Sequence, residues 1–109
     1  MGAEQFAVKS QGATAEQAFR AAVANARAHY GAGGYTGTIA EKRSFIEVVL
    51  PAGLTPGAFL DALERERKPA QMSDRDWTAA FRTYDDKWGA AVCVALGNGH
   101  WLFAGLASS

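Results

Sequence analysis

The segment GAAVCVALGNGHWLFAGL, residues 89–106, decides the fold because it predicts two long strands joined by a tight turn. The GNG tripeptide at 97–99 is typical of a hairpin turn, since such turns need the positive φ angles that glycine and asparagine accept. Residues 89–96 are almost entirely apolar, which indicates a strand near the centre of a sheet. Residues 100–106 return as the last strand, with aromatic and aliphatic side chains on alternate faces.

Three helices are predicted upstream of this hairpin. The first begins at Thr14, which forms a capping box with Gln17, and it ends at Gly31, the residue type that most often stops a helix. The apolar face of this helix consists mostly of small residues, so it can pack closely on a sheet. The second helix follows Thr55, an N-cap residue with proline after it, and a shorter third helix follows Ser73.

Three further strands complete the predicted sheet. They cover residues 5–10, 35–40 and 44–50, and the last two are expected to form a hairpin closed by the charged turn at 41–43. The order β-α-β-β-α-(α)-β-β delivers strands in pairs rather than alternating with helices. We therefore predict an α+β fold in one domain, residues 1–109, with a single-layer, mostly antiparallel sheet of about five strands and two or three helices on one face.

The composition excludes several function classes. The chain carries 11 basic and 11 acidic residues, and this zero net charge argues against a nucleic-acid partner, whose phosphates attract basic domains. A single cysteine rules out an internal disulfide. The sequence contains no long apolar run and no signal-peptide pattern, so we expect a soluble, cytoplasmic protein without a membrane partner. Nothing in the residue pattern indicates a cofactor or a bound metal.

A glycine-rich segment, GAGGYTGTIAEK at 31–42, follows the first helix. It is not a Walker A loop, because no Gly-Lys-Ser/Thr follows, and it is not a dinucleotide fingerprint, because Thr36 stands where the fingerprint has glycine. Two interpretations remain. The glycines either cap the helix and make a tight connection, or they expose N–H groups that hold a phosphate or carboxylate. In the second case the Thr36 and Thr38 hydroxyls and the charge of Lys42 would assist.

A second polar segment, DDKWG at 85–89, directly precedes the most apolar strand. The adjacent Asp85 and Asp86 are a weak metal signal, because no further ligand type lies nearby. One interpretation is a polar turn in which Trp88 closes the core. The other is a binding turn, in which Trp88 stacks on a planar ligand, Asp86 accepts a hydrogen bond from it and Lys87 supplies a positive charge.

Cys93 and His100 together raise the hypothesis of a nucleophile and its base. They lie on the two strands of the predicted hairpin but not directly opposite each other. Cys93 also stands among valine, alanine and leucine, where cysteine behaves as a small inert hydrophobe. A small hydrolase or transferase that uses these residues or the Asp85/Asp86 pair is therefore the least favoured hypothesis.

Three blocks of the chain resemble a family of small prokaryotic and phage-encoded proteins of no known activity. The blocks are GYTGTIAEK at 34–42, DKWGAA at 86–91 and WLFAGLAS at 101–108. The resemblance covers the chain from the first helix to the end. It implies no catalytic residue, and it favours a phage or host-defence role over metabolic catalysis.

The leading hypothesis is a non-enzymatic domain that binds a small anionic, nucleotide-like ligand between the 33–42 loop and the 85–88 turn. An alternative is an interaction or inhibitor module, or a homo-oligomeric subunit that pairs through the last strand or the first helix. The residues predicted to bind the ligand are Gly33, Gly34, Tyr35, Thr36, Thr38, Lys42, Asp86, Lys87 and Trp88.

Overall fold

The computed structural model describes residues 2–31 and 36–108, which form an α+β fold around a four-stranded sheet with the order β1-β4-β3-β2. A short 3₁₀ helix, Ile39–Glu41, lies between α1 and β2. No helix in the described part of the chain is both long and apolar enough to cross a bilayer. In chain order the elements are β1 (Ala3–Gln11), α1 (Ala15–Tyr30), β2 (Phe45–Glu47), α2 (Pro56–Arg65), α3 (Asp74–Asp85), β3 (Ala91–Gly97) and β4 (His100–Ser108).

The three helices begin where their capping residues predict. The Thr14 hydroxyl accepts a hydrogen bond from the Gln17 N–H at 3.2 Å, and the Gln17 side chain reaches back to the Ala13 N–H at 3.0 Å. The hydroxyls of Thr55 and Ser73 accept in the same way from N–H groups in the first turns of α2 and α3. Each cap satisfies a donor that the helix itself leaves unpaired, which is why these starts are visible in the sequence.

The helices cover both faces of the sheet, so the prediction that they share one face is wrong. Ala91 and Cys93 of β3 pack beneath α1. Val92 and Val94, which point the opposite way, pack against α2 and α3. The nearly continuous apolar run of β3 follows from this arrangement, because a strand that is buried on both faces has no polar side.

The sheet has four strands rather than about five, and it is mixed: β4 pairs antiparallel with both β1 and β3, as predicted for most of the sheet, and only β2 with β3 is parallel. In the described part of the predicted strand 35–40, Thr38 caps the 3₁₀ helix instead, so the predicted hairpin at 41–43 does not form. The predicted strand 44–50 is reduced to β2, which pairs in parallel with β3. The reason is the long connection through α2 and α3, which returns the chain to the same end of the sheet before β3 begins.

The C-terminal hairpin is confirmed. Asn98 and Gly99 have φ angles of 55° and 76°, as a tight turn with the strand twist requires, and the ladder shifts register between Ala95 and Gly97. β4 pairs with β3 on one side and with the whole of β1 on the other. The last strand is therefore interior, and the homodimer predicted through it is wrong because both of its edges are occupied.

Candidate functional site

Four strand ends meet at one end of the sheet. Because β1 and β4 are antiparallel, Ala3 at the start of β1 lies beside Ser108 at the end of β4. β2 and β3 both start at this end, where Phe45 pairs with Ala91. We call it the pocket end, and we call the opposite end, with the turn at 97–99, the hairpin end. The pocket end holds the described parts of both segments predicted to bind a ligand.

Lys42 joins these two segments. Its ammonium donates to the carbonyl oxygens of Asp86 at 3.1 Å and Lys87 at 3.3 Å, and it lies 5.9 Å from the centroid of the Phe6 ring. The residue is only 3% exposed. This burial lowers the pKa of Lys42, although the carboxylates of Asp86 and Glu41 act in the opposite direction. The segments do come together, but the Lys42 charge lies inside the protein instead of facing a ligand.

The loop predicted to hold an anion holds the carboxylate of Glu41. Oε2 of Glu41 accepts from the Gly37 N–H at 2.6 Å and from the Thr36 hydroxyl at 3.2 Å. Oε1 accepts from the Ser108 N–H at 3.0 Å, so the same side chain also fastens the end of β4. The hydroxyls of Thr36 and Thr38 are linked at 2.8 Å. These groups do bind a carboxylate, but it belongs to the same chain.

Sequence reasoning missed Glu41, although a signal for it exists. Thr38-Ile-Ala-Glu41 has the spacing of a capping box, in which the first residue caps a helix and the last reaches back to an N–H group. Thr38 Oγ1 accepts from the Ala40 N–H at 3.2 Å, and Glu41 reaches back to Gly37. A strand over 35–40 is incompatible with this box. The remaining predicted members of the loop lie outside the described residues: Gly33, Gly34 and Tyr35.

The turn at 86–89 projects Trp88 outward. Asp86 Oδ1 accepts from the Trp88 N–H at 3.0 Å, and the Gly89 N–H donates to the Asp86 carbonyl at 3.1 Å. A Cβ at Gly89 would lie 2.6 Å from the Asp86 carboxylate, so a side chain there would displace the group that accepts from the Trp88 N–H. Trp88 is 66% exposed and does not close the core. The Lys87 ammonium lies 5.3 Å from the centroid of its ring and 3.4 Å from the Gly2 carbonyl.

A pocket of about 490 Å³ opens between the two segments. Its cationic side chains are Arg43 and Lys87, and neither forms an ion pair within residues 2–31 and 36–108. Arg43 was placed by its sequence position only in the charged turn at 41–43, and its role in lining a pocket was not predicted. The lining consists of Glu41, Arg43, Ser44, Lys87, Trp88, Gly89 and Ala90. Of the residues predicted to bind a ligand, Lys87 and Trp88 therefore line the pocket. Lys42 and Asp86 hold the turn at 86–89 by hydrogen bonds, and Thr36 and Thr38 line a separate groove beside β1.

Cys93 and His100 do not meet. Cys93 is fully buried beneath α1 opposite Phe103, and burial raises the pKa of its thiol to about 12, with a smaller contribution from the Glu47 carboxylate. His100 lies at the hairpin end, where Nδ1 donates to the Asn98 carbonyl at 3.1 Å. The hypothesis of a nucleophile with its base is therefore wrong for this pair, because the thiol is protonated and has no contact with the imidazole.

Within the described ranges, no three side chains of histidine, cysteine, aspartate or glutamate lie close enough to share a metal ion. No protein-family model, curated protein or solved structure matches the chain. The resemblance to small prokaryotic and phage-encoded proteins stays a prediction.

Proposed function

We propose that this protein is a non-enzymatic binding domain that takes a small anionic ligand with a planar part, such as a nucleotide, in the pocket at 41–44 and 87–90. The observation that carries the proposal is the convergence of Arg43, Lys87 and the exposed indole of Trp88 on one pocket. Its volume of about 490 Å³ lies in the usual range for small-molecule sites.

Each of the three side chains suits one part of such a ligand. The guanidinium of Arg43 can donate two parallel hydrogen bonds to phosphate or carboxylate oxygens. The Trp88 ring offers a large flat surface for stacking on a base. The Lys87 ammonium, 5.3 Å from the ring centroid, would place a positive charge beside a stacked ligand. Glu41 also lines the pocket, but both of its carboxylate oxygens already accept hydrogen bonds from the chain.

The remaining predicted residues take a supporting role in this proposal. Lys42 holds the 86–87 carbonyls against the 41–44 segment, and Asp86 shapes the turn that projects Trp88. The Glu41 carboxylate already accepts the hydrogen bond that the loop N–H of Gly37 could offer to a ligand, so an external anion would be recognised by Arg43 and Lys87 instead. A domain that only sequesters a nucleotide signal needs no catalytic group, which suits the phage or host-defence role that the resemblance implies.

Isothermal titration of the purified protein against mononucleotides, cyclic nucleotides, NAD and inorganic phosphate tests the proposal. We expect Arg43→Gln and Trp88→Leu each to weaken binding of the responsive ligand about tenfold or more, because each loses a contact worth roughly 1.5 kcal/mol. Arg75→Gln is the matched control, since Arg75 is 92% exposed on α3 and does not line the pocket. The absence of heat with every ligand, or an equal loss in the control, would overturn the proposal.

A further inference from the structure

The outer edge of β1 is long and has no partner strand in the part of the chain that the structure describes. β1 ends the sheet order and pairs with β4 along all nine of its residues, and no other strand in residues 2–31 and 36–108 pairs with it. Proteins usually protect such an edge with proline, a bulge, several charges or a short strand. β1 has no proline and an unbroken register, and its only charged residues are Glu4 and Lys9.

The hydrogen bonds of β3 reveal which of its backbone groups face each neighbour. The Ala91 N–H donates to the Ser44 carbonyl at 3.0 Å, and the Cys93 carbonyl accepts from the Val48 N–H at 2.8 Å. Odd-numbered residues of β3 therefore face β2, and its even-numbered residues face β4. Two residues that stand opposite each other in an antiparallel pair either both point towards each other or both point away. Val92 points to β4 and pairs with Ala104, so Ala104 and the other even-numbered residues of β4 direct their N–H and C=O groups to β3.

The same alternation shows which backbone N–H and C=O groups of β1 face β4 and which face outward. The odd-numbered residues of β4 face β1, and Phe103 pairs with Val8, so the even-numbered residues of β1 bond to β4. The bond from the Gly12 N–H to the Gly99 carbonyl, at 2.9 Å, continues this pattern. The residues whose N–H and C=O groups point to the open edge are therefore Ala3, Gln5, Ala7, Lys9 and Gln11.

A groove of about 720 Å³ runs beside this edge. One wall is the stretch of β1 at 4–10, the other is a stripe on α1 that includes Ala22 and Ala26, and residues 36–39 also line the groove. The seven strand residues span roughly 20 Å at about 3.3 Å each, the length that another extended chain would follow. The small side chains of Ala22 and Ala26 keep the helix wall low next to the strand.

We propose that β1 of a second copy of this chain occupies the edge, antiparallel to the first, with the two-fold axis at Ala7. This register places Ala7 opposite the partner's Ala7, and Ala3 opposite the partner's Gln11. It overlaps the strand along its whole length, and every residue that points to the open edge falls in a hydrogen-bonded pair. A shift in either direction shortens the overlap.

The side chains of β1 match in this register. On the α1 face, Phe6 opposes the partner's Val8, so apolar residues meet. On the other face, Gln5 opposes the partner's Lys9, and no like charges stand opposite each other. The chain has no net charge, so long-range repulsion between copies is absent. This self-match favours a second copy over an unrelated peptide as the occupant.

Sedimentation equilibrium from low micromolar to submillimolar concentration tests the inference on the wild-type protein. We expect the mass to rise from 11.6 kDa towards twice that value. Ala7→Pro should keep the protein monomeric, because it removes an N–H that points to the open edge and not to β4, a position where edge strands accept proline. Ala7→Asp should do the same by placing two carboxylates opposite each other, whereas Ala79→Asp on exposed α3 should dimerise like wild type.

A covalent readout avoids dependence on variants that destabilise the fold. In a hydrogen-bonded antiparallel pair the Cα atoms are about 5.5 Å apart, within the range that a disulfide spans. Ala7→Cys should therefore form a disulfide-linked dimer under mild oxidation, and Ala79→Cys should not. A wild-type protein that stays monomeric at every concentration would overturn the inference. So would a dimer that survives Ala7→Asp, or equal cross-linking at both positions.

Discussion

The hairpin end and the pocket end of the sheet are held together by different kinds of contact. At the hairpin end the chain reverses through the backbone geometry of Asn98 and Gly99, and uncharged hydrogen bonds from the Gly12 N–H and to the Gly12 carbonyl join the turn to the end of β1. At the pocket end Glu41 and Lys42 bond to partners 67 and 44 positions away in the sequence. A turn needs only its own residues, whereas a buried charge needs partners that the folded chain supplies. The pocket end should therefore be the more sensitive of the two to loss of a side chain.

The largest effect on stability should come from Glu41→Ala. It removes the charged acceptor of the Ser108 N–H and of the Thr36 hydroxyl, and one of the two acceptors of the Gly37 N–H, which also donates to the Ser108 carbonyl at 2.8 Å. We expect the free energy of unfolding to fall by about 2–4 kcal/mol, measured by urea denaturation at neutral pH. Glu64→Ala, on the exposed face of α2, should change it by about 0.5 kcal/mol or less. If both substitutions lowered the free energy of unfolding equally, Glu41 would contribute no more to stability than an ordinary surface carboxylate.

Lys42→Met should have the next largest effect, about 1–3 kcal/mol, because the carbonyls of Asp86 and Lys87 lose their donor. The difference from wild type should also depend on pH. Burial lowers the folded-state pKa of Lys42 below 10.5, so between the two pKa values the unfolded chain binds more protons than the folded one. Wild-type stability should therefore rise with pH in that window relative to Lys42→Met. Urea denaturation at several pH values measures the difference in free energy of unfolding between wild type and Lys42→Met. A difference that becomes smaller as the pH rises would contradict the burial of this charge.

At the hairpin end, Gly99→Ala should cost about 1–2 kcal/mol in the free energy of unfolding, because a side chain at positive φ is strained. The φ angle of Gly99 is 76°, and a Cβ there would lie 3.4 Å from the Gly12 carbonyl oxygen. Gly57→Ala is the matched control, since its Cβ meets nothing within 4 Å and it lies in α2. Thermal denaturation should show the control unchanged or more stable. If Gly99→Ala lowered the free energy of unfolding more than Glu41→Ala, the hairpin end and not the pocket end would be the more sensitive to substitution.

The smallest effect on stability should come from Arg43→Gln. Arg43 is exposed and has no ion pair among the described residues, so the free energy of unfolding should change by about 0.5 kcal/mol or less. Its effect on ligand affinity should nevertheless be among the largest. Denaturation and titration of the same preparation measure both quantities. A strong loss of stability would make Arg43 a structural residue like Lys42 and would withdraw it from the pocket.

The helices and the last hairpin were predictable because their determinants are local. Thr14, Thr55 and Ser73 each bond to an N–H three residues away, so the pattern is complete within one turn of helix. The strand at 35–40 failed for the opposite reason. An apolar residue such as Ile39 fits a strand or a 3₁₀ helix equally well, and its burial beneath α1 decides between them.

The contact between the two predicted segments could be foreseen from the sequence, but the roles of their residues could not. The two segments that were expected to meet do meet, through Lys42 and the carbonyls at 86–87. Residue type alone cannot tell whether a lysine faces solvent or a buried carbonyl. That is why Lys42 was expected to bind a ligand, while Arg43, the next residue, lines the pocket.

The sequence by itself determined where the helices start, where the last hairpin turns and that the fold is of the α+β class. Capping residues, turn glycines and the spacing of apolar residues act over only a few positions, so they can be recognised in the sequence. Only the tertiary structure decided that β4 lies between β1 and β3, that helices cover both faces, and that Glu41 and Lys42 are used internally. Strand order and buried-charge pairing join residues far apart in the chain. Their free energy depends on the burial and partners that the assembled core provides, and no local pattern records it.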